Sequence, residues 1–230
     1  RFLGRQLKNA DLPDNKKVNT WIKIDTGYHR TGLPWSRKED VLSVARSVGE
    51  WKNLAFKGLL THAGHSYHAG SVEEIKGIYG DTVVKMEEIR GFLKVNGINR
   101  CEISIGDTPT ASLTDVIYGV DELRPGNFVY YDVMQLSLGS CGTEDIAAAV
   151  GCPVIGSYSG RREVVVHGGA VHHSKEFILS PKNEKIYGLV ALPQDDPRGW
   201  GPVLEETYVS SLSQEHGIIK TTKKHYSHLR

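Results

Sequence analysis

The stretch "DTGYHR" (Asp25 to Arg30) puts a carboxylate, an imidazole and a guanidinium on one short loop. Alone, it reads as an Asp25–Arg30 ion pair that braces a turn. The other use of such a loop is to hold a cation against an anionic ligand. "THAGHSYH" (Thr61 to His68) spaces His62, His65 and His68 by three, with Tyr67 between them. Histidines at that spacing suit a metal. They also suit a planar ligand stacked on His62 with Tyr67 donating a hydrogen bond, or simply a polar surface loop. "SIGDTPT" (Ser104 to Thr110) combines a tight-turn glycine, Gly106, with the hydroxyls of Thr108 and Thr110. Successive backbone N–H groups there would form an anion nest; the plain alternative is a strand-to-helix turn. "LRPGNFVYYD" (Leu123 to Asp132) sets Gly126, where a backbone can approach a ligand closely, beside Asn127. A β-turn with proline at its second position explains it equally. "HGGAVHHSKE" (His167 to Glu176) and "SQEHG" (Ser213 to Gly217) line a site or are solvated turns.

The elements that would position these loops follow from periodicity. "VNTWIKID" alternates, with Trp21, Lys23 and Asp25 on one face and Ile22 and Ile24 on the other, as a strand does. "SRKEDVLSVARSVGEWKN" has Val41, Leu42, Ala45 and Val48 at helical spacing, with Ser36 and Glu39 as a capping box. "FKGLLTHAG" is a second strand, and "SVEEIKGIYGDTVVKMEEIRGFLKVNG" a long helix that ends on Gly97. "CEISIGDT" gives a third strand and "DELRPGNFVYYDVMQ" a fourth. The first fifteen residues read as a helix end and a turn. Strand–helix alternation is the rhythm of parallel βα units. From about Leu138 short apolar runs parted by Gly, Pro and Asp suit an antiparallel β-domain. The expected division is 1–137 and 138–230. The candidate loops follow the strands, as at the C-terminal ends of a (β/α)8 barrel. A whole barrel takes roughly 250 residues. The expected fold is therefore α/β plus β: the C-terminal half of a (β/α)8 barrel, then an incomplete antiparallel β-domain.

Composition narrows the partners. Hydrophobic residues make up 39% and charged residues 24% of 230 residues, and the formal net charge is +1. That balance suggests neither nucleic acid nor an anionic membrane as partner. No apolar run reaches the roughly 18 to 20 residues of a membrane span. Cys101, Cys141 and Cys152 show no CxxC spacing. They read as free thiols in a reducing compartment, the cytoplasm. The chain opens on Arg1 within what reads as ordinary domain sequence, so a fragment is expected.

Taken together, "KIDTGYHRTGL", "GLLTHAGHSY", "SIGDTPT", "ELRPGNFVYYD", "GGAVHHSKE" and "LSQEHG" resemble, in the same order, the D-serine dehydratase-like family. These are pyridoxal-phosphate enzymes of the alanine-racemase-like fold type, and D-threonine aldolases are related to them. The resemblance runs from about Val18 to Gly217. It implies that Arg30, His62 and Tyr67 are catalytic. Arg30 would lie near the cofactor's phenolic oxygen, and His62 would stack on its pyridine face. Tyr67, Thr108, Gly126 and Asn127 would bind the cofactor, the last two through its phosphate. Lys23 keeps the seven-residue spacing to Arg30 found in racemases. Leu60 departs from the pattern, since members carry tyrosine there.

The Schiff-base lysine of the family lies in the N-terminal part of the barrel, and its zinc is held by a His-x-Cys pair after the "QEHG" motif. Neither segment is found in this chain, so no metal ligand is assigned and the 230 residues alone are expected to be inactive. The implied activity is conversion of D-serine, a small D-amino acid, to pyruvate and ammonia, with a homodimer as the full-length assembly. An aldolase, a cofactor-binding barrel without activity and a metal hydrolase on His62 and His65 are the competing readings.

Overall fold

The computed structural model describes residue 6 and residues 16–229, save 196 and 198. The helix end and turn expected before residue 16 fall outside the described residues, Gln6 excepted. The chain divides into two compact units. One runs to Phe128 and takes in Leu138–Ser140; the other holds Val129–Ser137 and the chain from Cys141.

The first unit is a parallel sheet with helices. Its strands are β1 (Val18–Asp25), β2 (Leu33–Pro34), β3 (Leu54–Thr61), β4 (Glu102–Ile105) and β5 (Glu122–Leu123), in the order β2-β1-β3-β4-β5. Every pairing in it is parallel. The alternation expected of β1 is present, with Ile22 and Ile24 buried and their neighbours half-buried. Helix α1 (Lys38–Gly49) and helix α2 (Val72–Val95) cover the sheet. Val41, Leu42 and Ala45 of α1 and Tyr79, Val83, Met86, Ile89 and Leu93 of α2 form one core with Ile22, Ile24, Leu59, Ile103 and Ile105. The i, i+3 and i+4 spacing on α2 aligns its apolar residues on one face. Burying a side chain the size of Met86 or Ile89 fully contributes about 1.5–3 kcal/mol.

Caps decide where the helices begin. Ser71 accepts from the Glu74 N–H and starts α2. At its other end Gly97 takes a φ of +89°, the left-handed stop that glycine adopts most readily. The capping box expected at Ser36 and Glu39 does not form. Trp35 and Ser36 are held in a turn closed by the Arg37 N–H on the Pro34 carbonyl at 3.0 Å. Arg37 becomes the N-cap instead, without a side-chain bond.

The fourth expected strand is the other departure. Only Glu122 and Leu123 pair with β4. The Arg124 N–H still reaches the Ile105 carbonyl at 2.8 Å. Pro125 then has no N–H for the ladder. The chain turns through a 3-10 segment, Asn127–Val129, and a short helix follows at Val133–Ser137. Between β4 and β5 lies helix α3 (Thr108–Leu113).

The second unit is antiparallel, as the short runs suggested. Strands β6 (Val154–Tyr158), β7 (Glu163–His167), β10 (Gly188–Pro193), β11 (Trp200–Leu212) and β12 (His216–Lys220) stand in the order β10-β11-β12-β7-β6. A two-stranded ribbon pairs β8 (Ile178–Leu179) with β9 (Lys185–Ile186). Val164, Val166, Val190, Val209 and Ile219, all on the five-stranded sheet, are in the core of this unit. The three cysteines are free. No helix among the described residues is long and apolar enough to cross a membrane.

Candidate functional site

Loops that follow β1, β3, β4 and β5 meet in the first unit. The first is shaped by Asp25. Its Oδ1 accepts the N–H groups of Gly27 at 2.9 Å and His29 at 3.0 Å, and its Oδ2 lies 3.0 Å from His29 Nδ1. Gly27 and His29 both have positive φ, +138° and +58°. The Asp25–Arg30 pair is thus replaced by Asp25–His29, because the tight turn captures the carboxylate from within. Burial pushes the Asp25 carboxyl up, but the His29 and Gly27 N–H groups outweigh it and hold it below its usual value. Arg30 is exposed and lies 5.3 Å over the Tyr28 ring.

Tyr28 carries that loop onto the second. Its ring meets His62 edge-on with centroids 5.6 Å apart. A Cβ added at Gly64 would fall 2.4 Å from Tyr28 Cε1 and 2.8 Å from His62 Nε2. Only glycine leaves room for this pairing. His62 Nδ1 bonds the Gly106 carbonyl on the third loop. A carbonyl only accepts, so Nδ1 carries the hydrogen and Nε2 of the neutral ring is left as an acceptor. Burial, above all, lowers the His62 pKa; the Gly106 carbonyl opposes it and the Arg30 charge reinforces it. His62 therefore stands neutral near pH 7.

The remaining links join the second, third and fourth loops. Tyr67 lies on the 3-10 turn Gly64–His68, its ring 6.3 Å from His62. The Thr108 N–H points at the Tyr67 hydroxyl at 3.5 Å. The buried Thr108 Oγ1 accepts from the Asn127 N–H at 3.1 Å. Gly126, beside it, has open space: a Cβ there would meet nothing within 4 Å. His62, Tyr67, Thr108 and Asn127 are thus tied together, and Arg30 reaches them through Tyr28.

Sequence reasoning missed two residues here. Ser66 Oγ donates to Asp107 Oδ2 at 2.8 Å. Asp107 also accepts from the Thr110 N–H and caps α3. An aspartate before "TPT" is a helix-start signal; nothing in the sequence points to its partner.

The electrostatics favour an anion. Burial first, then Arg124 and Arg30, push the Lys23 ammonium below its usual range. No carboxylate pairs with Lys23 or Arg30 among the described residues. Arg124 is held by Ser104 Oγ at 2.6 Å, by the Thr61 carbonyl at 3.0 Å, and by Glu122 at 3.3 Å. The three cations raise the local potential, offset in part by Glu122 on Arg124 and by Asp107 beside His62.

In the second unit, "HGGAVHHSKE" and "SQEHG" supply His167 and His216, cross-strand partners with ring centroids 6.1 Å apart. His172 lies 5.1 Å from His167, and Cys152 Sγ 3.6 Å from His173 Nε2. Among the described residues no group of three His, Cys, Asp or Glu is placed to hold a metal ion. The described residues do not provide the implied zinc site.

Comparisons with known proteins agree across both units. The family model for the N-terminal domain of alanine racemase matches residues 3–133, and a serine dehydratase domain matches residues 147–230. A D-serine dehydratase of Dictyostelium discoideum is 34% identical over 169 residues, which is 70% of this chain and 42% of that protein. One of Schizosaccharomyces pombe is 30% identical over 228 residues, 92% of this chain and 51% of that protein. The solved D-threo-3-hydroxyaspartate dehydratase of Delftia sp. HT23 superposes with a TM-score of 0.78 at 26% identity, over 96% of this chain and 55% of that one. The chain spans about half the length of the curated relatives it matches.

Proposed function

The chain belongs to the family of the alanine racemase N-terminal domain, and from that premise we propose that it is part of a pyridoxal-phosphate-dependent D-serine dehydratase. Residues 1–137 are read as the C-terminal half of a (β/α)8 barrel and 138–230 as part of an antiparallel β-domain. The working protein is a homodimer of the cytoplasm that takes small D-amino acids.

The single observation that carries the reading is the meeting of His62, Tyr67, Thr108 and Asn127 beside Lys23, Arg30 and Arg124. The residues fit pyridoxal phosphate on the chemistry of their donors. A hydroxyl at Thr108, open backbone at Gly126 and the cations Lys23 and Arg30 suit a phosphorylated ligand. When bound, the cofactor supplies an electron sink for the pair released as a bond at the substrate Cα breaks. Thr108, Gly126 and Asn127 would hold the phosphate. Neutral His62 would offer its ring face without adding charge, and Arg30 would offset negative charge on the cofactor. Tyr67 keeps its O–H free to donate to the ligand, because its oxygen accepts from Thr108. In the reaction the Cα–H and Cβ–O bonds of D-serine break. The water lost is taken up again as ammonia leaves.

Retention of the cofactor tests the reading. Equilibrium dialysis of the protein should show pyridoxal phosphate bound more tightly than pyridoxal. Thr108→Val removes one hydroxyl and should weaken pyridoxal phosphate about tenfold, the worth of one charge-assisted hydrogen bond. Equal affinity for the two compounds, or no effect of the substitution, would contradict it.

A further inference from the structure

We propose that Asp107 and Ser66 are positioning residues, a buried clasp that sets Tyr67 against the cofactor and Thr108 against its phosphate. The inference rests on the cofactor reading above and goes beyond it.

Ser66 is the neighbour of Tyr67, and Asp107 the neighbour of Thr108. Their bond, 2.8 Å long, joins turns 41 residues apart in sequence. Ser66 and Thr108 are 0% exposed and Asp107 2%. Water cannot replace a bond at that depth without reopening both turns. The direct link between Tyr67 and Thr108 is 3.5 Å, at the long end for a hydrogen bond. It cannot by itself hold the two hydroxyls at one separation. The short buried bond one residue back can.

Capping alone does not account for the residue. Serine would cap α3 comparably. Asp107 Oδ2 receives two donors, Ser66 Oγ at 2.8 Å and the Thr110 N–H at 3.0 Å. Its Oδ1 is buried with no hydrogen-bond partner among the described residues, an arrangement that costs stability. The residue accordingly does more for geometry than for the folded state. One oxygen anchors the second loop to the first turn of α3, and both carry a cofactor-facing hydroxyl on the next residue.

The test is the affinity of the protein for pyridoxal phosphate and for pyridoxal, with thermal melting to show each variant folded. Ser66→Ala and Asp107→Ala should each weaken pyridoxal phosphate about tenfold, the scale of one buried hydrogen bond, and leave pyridoxal nearly unchanged. The double variant should be no weaker than Asp107→Ala, because the bond to Ser66 is already lost there. Asp107→Asn keeps the accepting oxygen and should stay within about threefold of the wild type; it serves also if an alanine variant fails to fold. Equal losses for both compounds, additive losses in the double variant, or an Asn variant as weak as Ala would overturn the clasp. A wild-type protein that binds neither compound would instead remove the cofactor reading, and the clasp with it.

Discussion

Gly58→Ala should cost the first unit about 3 kcal/mol or more, at or beyond the upper range for overpacking. A Cβ at Gly58 would lie 2.0 Å from the Glu102 carbonyl oxygen and 2.7 Å from its carbon and nitrogen. All three are backbone atoms of β4, so no side-chain rotation relieves the clash. Gly58 pairs with Glu102 in the ladder. It also follows a bulge, since Trp21 pairs with Gly58 while Thr20 pairs with Phe56. The strand is therefore fixed from both sides. Parting β3 from β4 would also separate the loops that hold His62 and Gly106. Urea denaturation followed by tryptophan fluorescence is the measurement, since Trp21, Trp35 and Trp51 all lie in the first unit. Gly77→Ala is the control. It lies on the exposed side of α2 with nothing within 4 Å of the new Cβ. It should stabilise by about 0.5–1 kcal/mol. An unchanged midpoint for Gly58→Ala would mean that β3 and β4 do not approach as described.

In the complete protein, Tyr67→Phe should lower turnover of D-serine about a hundredfold, the lower range for losing a positioned proton donor. The ring stays, so its tilted contact with His62 is kept. The hydroxyl lost accepts only the long 3.5 Å bond from the Thr108 N–H. The fold should therefore melt within a few degrees of the wild type, because one weak hydrogen bond contributes about 1 kcal/mol or less. The loss falls on kcat, since the cofactor's phosphate keeps Thr108 and Gly126. The measurement is steady-state pyruvate release at saturating cofactor, alongside a thermal melt. Wild-type turnover in the Phe variant would take Tyr67 out of the chemistry.

Periodic features were legible in the sequence. The run of Ile75, Tyr79, Thr82, Val83, Met86, Ile89 and Leu93 is buried along one face of α2, because helix geometry turns spacing into a face. Ile22 and Ile24 told the inner face of β1 for the same kind of reason. Local competition was harder to read. Ser36 had the right spacing to Glu39, but a turn from Pro34 to Arg37 used it first. Arg30 had the right charge for Asp25, but two N–H groups and His29 lay nearer. Pro125 cut the fourth strand short although apolar residues continue beyond it. The Ser66–Asp107 bond left no pattern at all, because contacts between distant loops are set by the sheet that brings them together.

The most direct test of the account is the product spectrum of the complete protein with pyridoxal phosphate. D-Serine, L-serine and D-threonine are supplied separately, and pyruvate, 2-oxobutyrate and glycine are measured in each. The account predicts pyruvate from D-serine, none from L-serine, and 2-oxobutyrate rather than glycine from whatever D-threonine is consumed. Glycine and acetaldehyde as the main products of D-threonine would contradict it in favour of an aldolase. No product from any of the three, with cofactor bound, would contradict it in favour of a binding protein.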